Sequence, residues 1–313
     1  MSKTLLLMGP LFDATMQAVE STYTVKRYWE ADDQQALLKS IAEDCVGVVT
    51  DGGKGVSNDI LKQLPNAKII SVFGVGVDAI DLDYCQTAGI AVGNTPDVLS
   101  DDVADLAIAL ALGVCRQVVF GDQYARQGLW PKNGAMPLTT RMMGKKAGIY
   151  GMGSIGACLA KRLSGFDMPI SYCNRSEKAD SPHNFVPSLT QLATDSDFLF
   201  ITAAATAGTI GAVNQSVLDA LGKDGYLINV SRGTLVDEPV LVEYLSNGKI
   251  AGAGLDVFHD EPNIPDALLS LNNVVLQPHN ASGTWETRKA MGDLMLENLQ
   301  CHFDGKPLSA SVV

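Results

Sequence analysis

Three segments end in side chains able to bind anions or move protons. Ile228-Asn229-Val230-Ser231-Arg232-Gly233 ends on an arginine, and Gly254-Leu255-Asp256-Val257-Phe258-His259-Asp260-Glu261-Pro262 on carboxylates. Gln277-Pro278-His279-Asn280-Ala281-Ser282 carries a histidine. Each follows a short apolar run that reads as a strand. In open parallel sheets, ligands sit beyond the carboxyl ends of strands. One Arg, one Glu and one His at three such ends make a candidate active site. Singly, each has an ordinary reading: His279 a core or surface histidine, Arg232 a surface ion pair, Glu261 loop punctuation before Pro262. Together they point to a site.

A fourth segment, Gly151-Met152-Gly153-Ser154-Ile155-Gly156, is a GxGxxG motif. It follows the apolar run 146–150 and opens the helical run 154–163, the context in which the motif binds a dinucleotide. Gly151 serves the tight turn, Gly153 the approach of a pyrophosphate and Gly156 the packing of helix on strand. The helix start supplies N–H donors and partial positive charge. Cofactor choice is read at the end of the next strand, Cys173-Asn174-Arg175-Ser176 with Lys178 behind it. No carboxylate stands there to bind a ribose 2′-OH. Arg175 can pair with a 2′-phosphate, and Asn174 and Ser176 can donate hydrogen bonds. NADP(H) is therefore preferred, with NAD(H) the second choice.

These segments need a scaffold, and its elements are legible. Strand runs 4–8, 46–50, 69–73 and 90–92 alternate with helical patterns at 34–43 and 57–64. A second series runs 146–150, 170–173, 198–202, 226–230, 252–257 and 274–277. Such alternation means βαβ units and parallel sheets. The chain divides near Ser100 into units of about 100 and about 180 residues. Ser100 reads as the cap of an apolar helix ending at Cys115, with Asp101 and Asp102 matching its dipole. Residues 116–145, rich in Gly, Pro and Met, read as an irregular excursion, a candidate subunit contact. A last helix spans about 284 to 303 and stops before Gly305 and Pro307.

Composition narrows the partners. With 23 Lys+Arg against 35 Asp+Glu the net charge is −12, against nucleic-acid binding or docking on anionic membranes. No run reaches the roughly 18 apolar residues of a membrane helix. No signal peptide is expected, because the N-terminal apolar run is short. The six cysteines lack metal-ligand spacing. They read as reduced core thiols of a cytoplasmic protein, and no metal is expected.

The order of motifs resembles that of the D-isomer-specific 2-hydroxyacid dehydrogenases. It runs from GxGxxG through Asn-Val-Ser-Arg-Gly and Gly-Leu-Asp-Val-Phe with Glu-Pro to Pro-His. Phe73-Gly74-Val75-Gly76-Val77-Asp78, Asn94-Thr95-Pro96-Asp97-Val98 and Asp101-Asp102-Val103-Ala104-Asp105-Leu106 extend the resemblance over nearly the whole chain. Within the family the chain is most similar to NADPH-dependent glyoxylate/hydroxypyruvate and hydroxyphenylpyruvate reductases, in its Arg-Ser pair and its Ser-Gly-Thr-x-Glu-Thr-Arg-Lys run from Ser282.

The resemblance implies an α/β fold of two parallel-sheet domains, Rossmann-like and flavodoxin-like, with an active-site cleft between them. A substrate domain would take residues 1–99 and 286–313, and a dinucleotide domain 100–285. It implies reduction of small 2-keto acids to D-2-hydroxy acids by hydride transfer. His279 would be the acid/base, Glu261 its partner, and Arg232 the clamp for the substrate carboxylate. Val75 and Gly76 would give backbone N–H groups to that carboxylate, with His279 and Ser282 also at the substrate. Val103, Ser154, Ile155, Val230, Ser231, Arg232, His279 and Ala281 would join the glycines and residues 174–176 around the cofactor, and Asp256 would face the nicotinamide carboxamide. A homodimer is implied. Two departures stand out: Ala203-Ala204-Ala205-Thr206 replaces a frequent Pro-Leu-Thr turn, and Ala281 follows His279 by two.

Glu261 argues against formate dehydrogenase, where Gln faces the histidine. The missing acidic residue after the second Rossmann strand argues against NAD-dependent D-lactate and phosphoglycerate dehydrogenases. A (hydroxy)phenylpyruvate reductase stays open, as does a dinucleotide-sensing corepressor that binds peptides, although the chain lacks the tails those usually add. Sequence leaves open the physiological keto acid, the direction of reaction, and roles for His259, Trp130 and Trp285.

Overall fold

The computed structural model describes residues 3–313. Met1 and Ser2, at the head of the N-terminal reading, lie outside the described residues. The described residues form two compact units, one of residues 3–99 and 283–313, the other Ser100–Ser282.

The first unit carries a five-stranded parallel sheet of β1 (Thr4–Leu7), β2 (Thr24–Arg27), β3 (Cys45–Asp51), β4 (Ile69–Phe73) and β5 (Ala91–Gly93), in the order β2-β1-β3-β4-β5. This is the flavodoxin-like order. Leu5, Leu6, Leu7, Ile69, Ile70 and Val72 are wholly buried, as expected of strands covered on both faces. The 19-residue helix Trp285–Phe303, capped by Thr284, buries Met291, Met295 and Leu299. Ser71 of β4 donates from Oγ to the helix carbonyl of Met295 at 2.9 Å, which ties the helix to the sheet.

The second unit carries a seven-stranded parallel sheet. It comprises β6 (Ala147–Tyr150), β7 (Ile170–Cys173), β8 (Asn184–Phe185), β9 (Phe198–Ile201), β10 (Tyr226–Asn229), β11 (Gly252–Leu255) and β12 (Val274–Leu276). The order is β12-β11-β10-β9-β6-β7-β8. Strand order reverses between β6 and β9, so the glycine turn after β6 sits at the switch point where such sheets bind ligands. The apolar helix Ser100–Cys115 lies directly on β11. A Cβ at Gly254 would come 2.7 Å from Leu110 Cβ, and one at Gly252 2.7 Å from Val114. Glycines in a strand thus let a helix approach the segment that ends in Asp256. Arg162 of helix Ser154–Ser164 pairs with Asp101 at 2.9 Å and with Asp105, joining the two helices beside the glycine turn.

Several sequence expectations change. Residues 116–145 are not wholly irregular. They hold helices Val118–Arg126 and Leu129–Asn133, separated at Gly128, whose φ is 66°. Gly128 and Gly134 bound the second helix, and Pro131 lies within it. Ser100 is the first buried residue of its helix, not a flanking cap. The helical run 57–64 shortens to Asn58–Leu61. Strands β2 and β8 went unread, because a half-exposed edge strand and a two-residue strand show no apolar run. Of the cysteines, Cys158 and Cys301 are only half-buried.

Candidate functional site

The second unit brings Arg232, Glu261 and His279 to the ends of β10, β11 and β12. Each strand end is shaped by local hydrogen bonds. Asn229, almost wholly buried, folds the turn after β10 back on itself: its Nδ2 donates to the Arg232 carbonyl at 2.9 Å, and its Oδ1 accepts from Ser231 N–H at 3.1 Å. Gly233 follows because the Phe258 carbonyl carbon stands 2.0 Å from where its Cβ would be. The loop after β10 therefore packs backbone to backbone on the loop that carries Glu261.

Glu261 and His279 form a dyad. His279 Nδ1 lies 2.6 Å from Glu261 Oε2. Glu261 Oε1 accepts from Phe258 N–H at 3.0 Å. Burial pushes the Glu261 carboxyl up. The hydrogen bonds from His279 and Phe258, with the charges of His279 and Arg232, outweigh it and hold the carboxyl below its ordinary value. An ionised carboxylate only accepts, so Nδ1 carries the proton and Nε2 is the nitrogen left for exchange.

Asp256 has no exposed surface, and backbone groups take its carboxylate. Its Oδ1 accepts from Asn280 N–H at 2.8 Å and its Oδ2 from Ala281 N–H at 3.0 Å, while its carbonyl accepts from His279 N–H at 2.8 Å. His279 has a φ of 52°, rare for a non-glycine residue, and these three bonds hold it there. Burial raises the Asp256 carboxyl, opposed by the two backbone N–H groups. The sequence signal was a buried-run Asp just past a strand, which could have been read as a loop anchor.

The glycine turn has distinct steric duties at each position. Gly151, at φ 107°, would place a Cβ 2.3 Å from Ala203 N, and Gly156 would place one 2.3 Å from the Gly151 carbonyl. Gly153 meets nothing within 4 Å. It is the N-cap of helix Ser154–Ser164 and offers no side-chain cap, leaving the N–H groups of the first turn for an anion. The residues thus fit a dinucleotide pyrophosphate: Gly151 and Gly156 shape the turn, and Gly153, Ser154 and Ile155 face outward to some degree.

The Asn174 Oδ1 accepts from Met152 N–H at 2.7 Å, so the side chain braces the glycine turn. Arg175, Ser176 and Lys178 are exposed behind it. A groove of about 490 Å³ beside the turn is lined by Met152, Lys161, Lys178, Asp180 and His183 among others, which brings two lysines and one carboxylate beside the turn. Val103 and Val230 are buried, so neither offers an exposed side chain. Ala281 is also buried, whereas Ser231 and Ser282 are half-buried. Ser231 Oγ donates to the Ala203 carbonyl, anchoring the turn that replaces Pro-Leu-Thr. In the first unit, Val75 and Gly76 follow β4 in a half-buried turn. Trp130 and Trp285 are 67% and 78% exposed.

A parallel sheet with a glycine turn at its switch point, and a His–carboxylate dyad with an arginine at neighbouring strand ends, define a dinucleotide-dependent oxidoreductase. Residues 108–281 match the NAD binding domain of D-isomer specific 2-hydroxyacid dehydrogenases, and the chain belongs to that family. It is 46% identical over 308 residues to hydroxyphenylpyruvate reductase of Plectranthus scutellarioides, covering 98% of each. It is 43% identical to glyoxylate/hydroxypyruvate reductase A of Arabidopsis thaliana, again with 98% of each covered. An NADPH-dependent glyoxylate/hydroxypyruvate reductase from Sinorhizobium meliloti, solved with NADP and malonate, superposes with a TM-score of 0.94. That pair shares 39% identity over 100% of this chain and 97% of the other.

Proposed function

We propose that the chain reduces short 2-keto acids such as glyoxylate and hydroxypyruvate to D-2-hydroxy acids with NADPH. The observation that carries this is the His279–Glu261 dyad at 2.6 Å, beside Arg232 and in the same unit as the glycine turn. The nicotinamide nucleotide supplies the hydride when bound. His279 delivers a proton from Nε2 to the carbonyl oxygen. Glu261 keeps Nδ1 protonated and the ring oriented. Arg232 takes the substrate carboxylate and polarises the carbonyl. Val75 and Gly76 offer N–H groups to that carboxylate, and the first unit is the substrate-binding one. Arg175 and Ser176 take the 2′-phosphate, supported by the lack of a carboxylate at that strand end and by the NADP-bound relative.

The enzyme is a cytoplasmic homodimer in this reading. Support comes from Val118, Val119, Trp130, Leu138 and Met143, all exposed within 116–145, which a second copy would cover; light scattering tests it. Among the described residues no single helix is long and apolar enough to cross a membrane.

The test is a kinetic panel with both cofactors over glyoxylate, hydroxypyruvate, pyruvate, phenylpyruvate and hydroxyphenylpyruvate. kcat/KM should be higher with NADPH than NADH, Arg175→Ala should narrow the gap, and His279→Ala should cut turnover by about 10²–10⁴. Best turnover on the aromatic acids would assign the chain to the hydroxyphenylpyruvate reductases. Absence of turnover on every acid would overturn the reductase reading.

A further inference from the structure

Two hydrogen bonds hold the turn after β4, and they lead to the C-terminal segment. Thr95 N–H donates to the Gly74 carbonyl at 2.9 Å, and Asn94 Nδ2 donates to the Val75 carbonyl at 2.8 Å. In a trans peptide the C=O of one residue and the N–H of the next share a plane and point in opposite directions. The Gly74 carbonyl is thus rigidly opposed to the Val75 N–H, and the Val75 carbonyl to the Gly76 N–H. Those are the two donors assigned above to the substrate carboxylate. Bonding each carbonyl fixes the aim of the N–H across the plane and polarises it.

Asn94 is itself held from behind. Its carbonyl accepts from Asn298 Nδ2 at 3.0 Å, and Asn298 Oδ1 accepts from Ala310 N–H at 2.9 Å. Asn94 N–H in turn donates to the Ala310 carbonyl at 3.2 Å. Asn298 has no exposed surface, although it lies on the helix Trp285–Phe303. Gly93 leaves it room, since a Cβ there would sit 3.0 Å from the Asn298 amide. The C-terminal segment runs antiparallel along β5: Gly93 bridges Ser311, Val92 N–H donates to the Val313 carbonyl at 3.2 Å, and Val312 N–H donates to the Val92 carbonyl at 2.7 Å. A buried amide that bridges the C-terminal segment to Asn94, 204 residues away in sequence, is costly unless fully paired, and here both ends of the amide are paired.

We propose that Asn298 and the C-terminal segment 309–313 are positioning elements for the carboxylate-binding turn. They act through Asn94 on the Val75 and Gly76 N–H groups, and this rests on the reading that those groups bind the substrate carboxylate. Removing the clamp loosens the donors and weakens recognition of the carboxylate, while the glycine turn of the other unit keeps its cofactor.

The experiment compares wild type with Asn298→Ala, Asn298→Ser and a chain ending at Leu308. Three readouts are taken: hydrogen exchange of the 74–78 backbone, NADPH affinity by fluorescence, and kcat/KM for the best keto acid against its methyl ester. The expected result is faster exchange at 74–78, unchanged NADPH affinity, and KM for the acid raised about tenfold. The acid-over-ester preference should shrink by a similar factor. Should Asn298→Ala fail to fold, Asn298→Ser and the shortened chain carry the same comparison. Unchanged exchange at 74–78 overturns the clamp, and so does an equal loss on acid and ester. Exchange is read without turnover. If wild type turns over no keto acid, the function fails while faster exchange still supports the clamp.

Discussion

Replacing Glu261 by Gln keeps the shape of the dyad and inverts its hydrogen-bond logic. Gln Oε1 can still accept from Phe258 N–H, as Glu261 does at 3.0 Å. The amide N–H₂ then faces His279 Nδ1, which must accept, and the neutral tautomer with its proton on Nε2 is favoured. The lost interaction joins partners 2.6 Å apart, with side chains 43% and 32% exposed. A hydrogen bond to a charged group contributes about 1.5–3 kcal/mol. Exposure of this degree places the pair at the low end, about 1.5 kcal/mol. The alkaline limb of the kcat/KM profile for reduction should move toward acid. At about 1.36 kcal/mol per factor of ten, the rate above that limb should fall about tenfold. In the proposed mechanism His279 is the base for oxidation of the hydroxy acid, so its acid limb should move the same way and oxidation should extend to lower pH. Initial rates in both directions, across about two pH units on either side of neutrality, check this alongside NADPH affinity. If neither limb moves and both rates fall equally, Glu261 only shapes the loop, and the charge argument is wrong.

Gly153→Ala should melt within about 0.5 kcal/mol of wild type, since nothing lies within 4 Å of the new methyl, yet weaken NADPH binding at least about tenfold. Gly156→Ala, with a Cβ 2.3 Å from the Gly151 carbonyl, should instead cost about 1–3 kcal/mol of stability; calorimetry and fluorescence titration separate the two. The two carboxylates of the β11 loop should give opposite pH signatures in melting temperature. The Glu261 carboxyl lies below its ordinary 4.5, so its stabilisation is present above that pH and is lost as pH falls through the depressed value. The Asp256 carboxyl lies above its ordinary 3.8, so its contribution is full below that pH and fades as pH rises through the raised value. Wild type minus Glu261→Gln should therefore grow with rising pH in the acid range, and wild type minus Asp256→Asn should shrink. Slopes of the same sign would contradict the assignment of burial as the larger influence on Asp256.

Much of the site was legible because strand ends and glycine turns are local patterns. The run 146–150 before Gly151 and the apolar runs before Arg232, Asp256 and His279 place those residues at one edge of a parallel sheet, whatever the rest of the chain does. The spacing of Gly151, Gly153 and Gly156 likewise carries its meaning within a few residues. Edge strands β2 and β8 and the helices within 116–145 were missed. Their polar or glycine-broken sequences carry no periodicity of their own, and neighbours stabilise them.

Residue type and order along the chain determined the carboxyl ends of the central strands, the glycine turn and the identity of the three candidate side chains, since each depends on near neighbours in sequence. Only the tertiary structure decided where the polar side chains spend their hydrogen bonds. Asp256 reaches the backbone of 280 and 281, Asn174 the N–H of Met152, and Asn298 the backbone of Asn94 and Ala310. In each case a buried or half-buried polar group takes the backbone partner that folding brings within reach, and that partner is set by packing rather than by spacing.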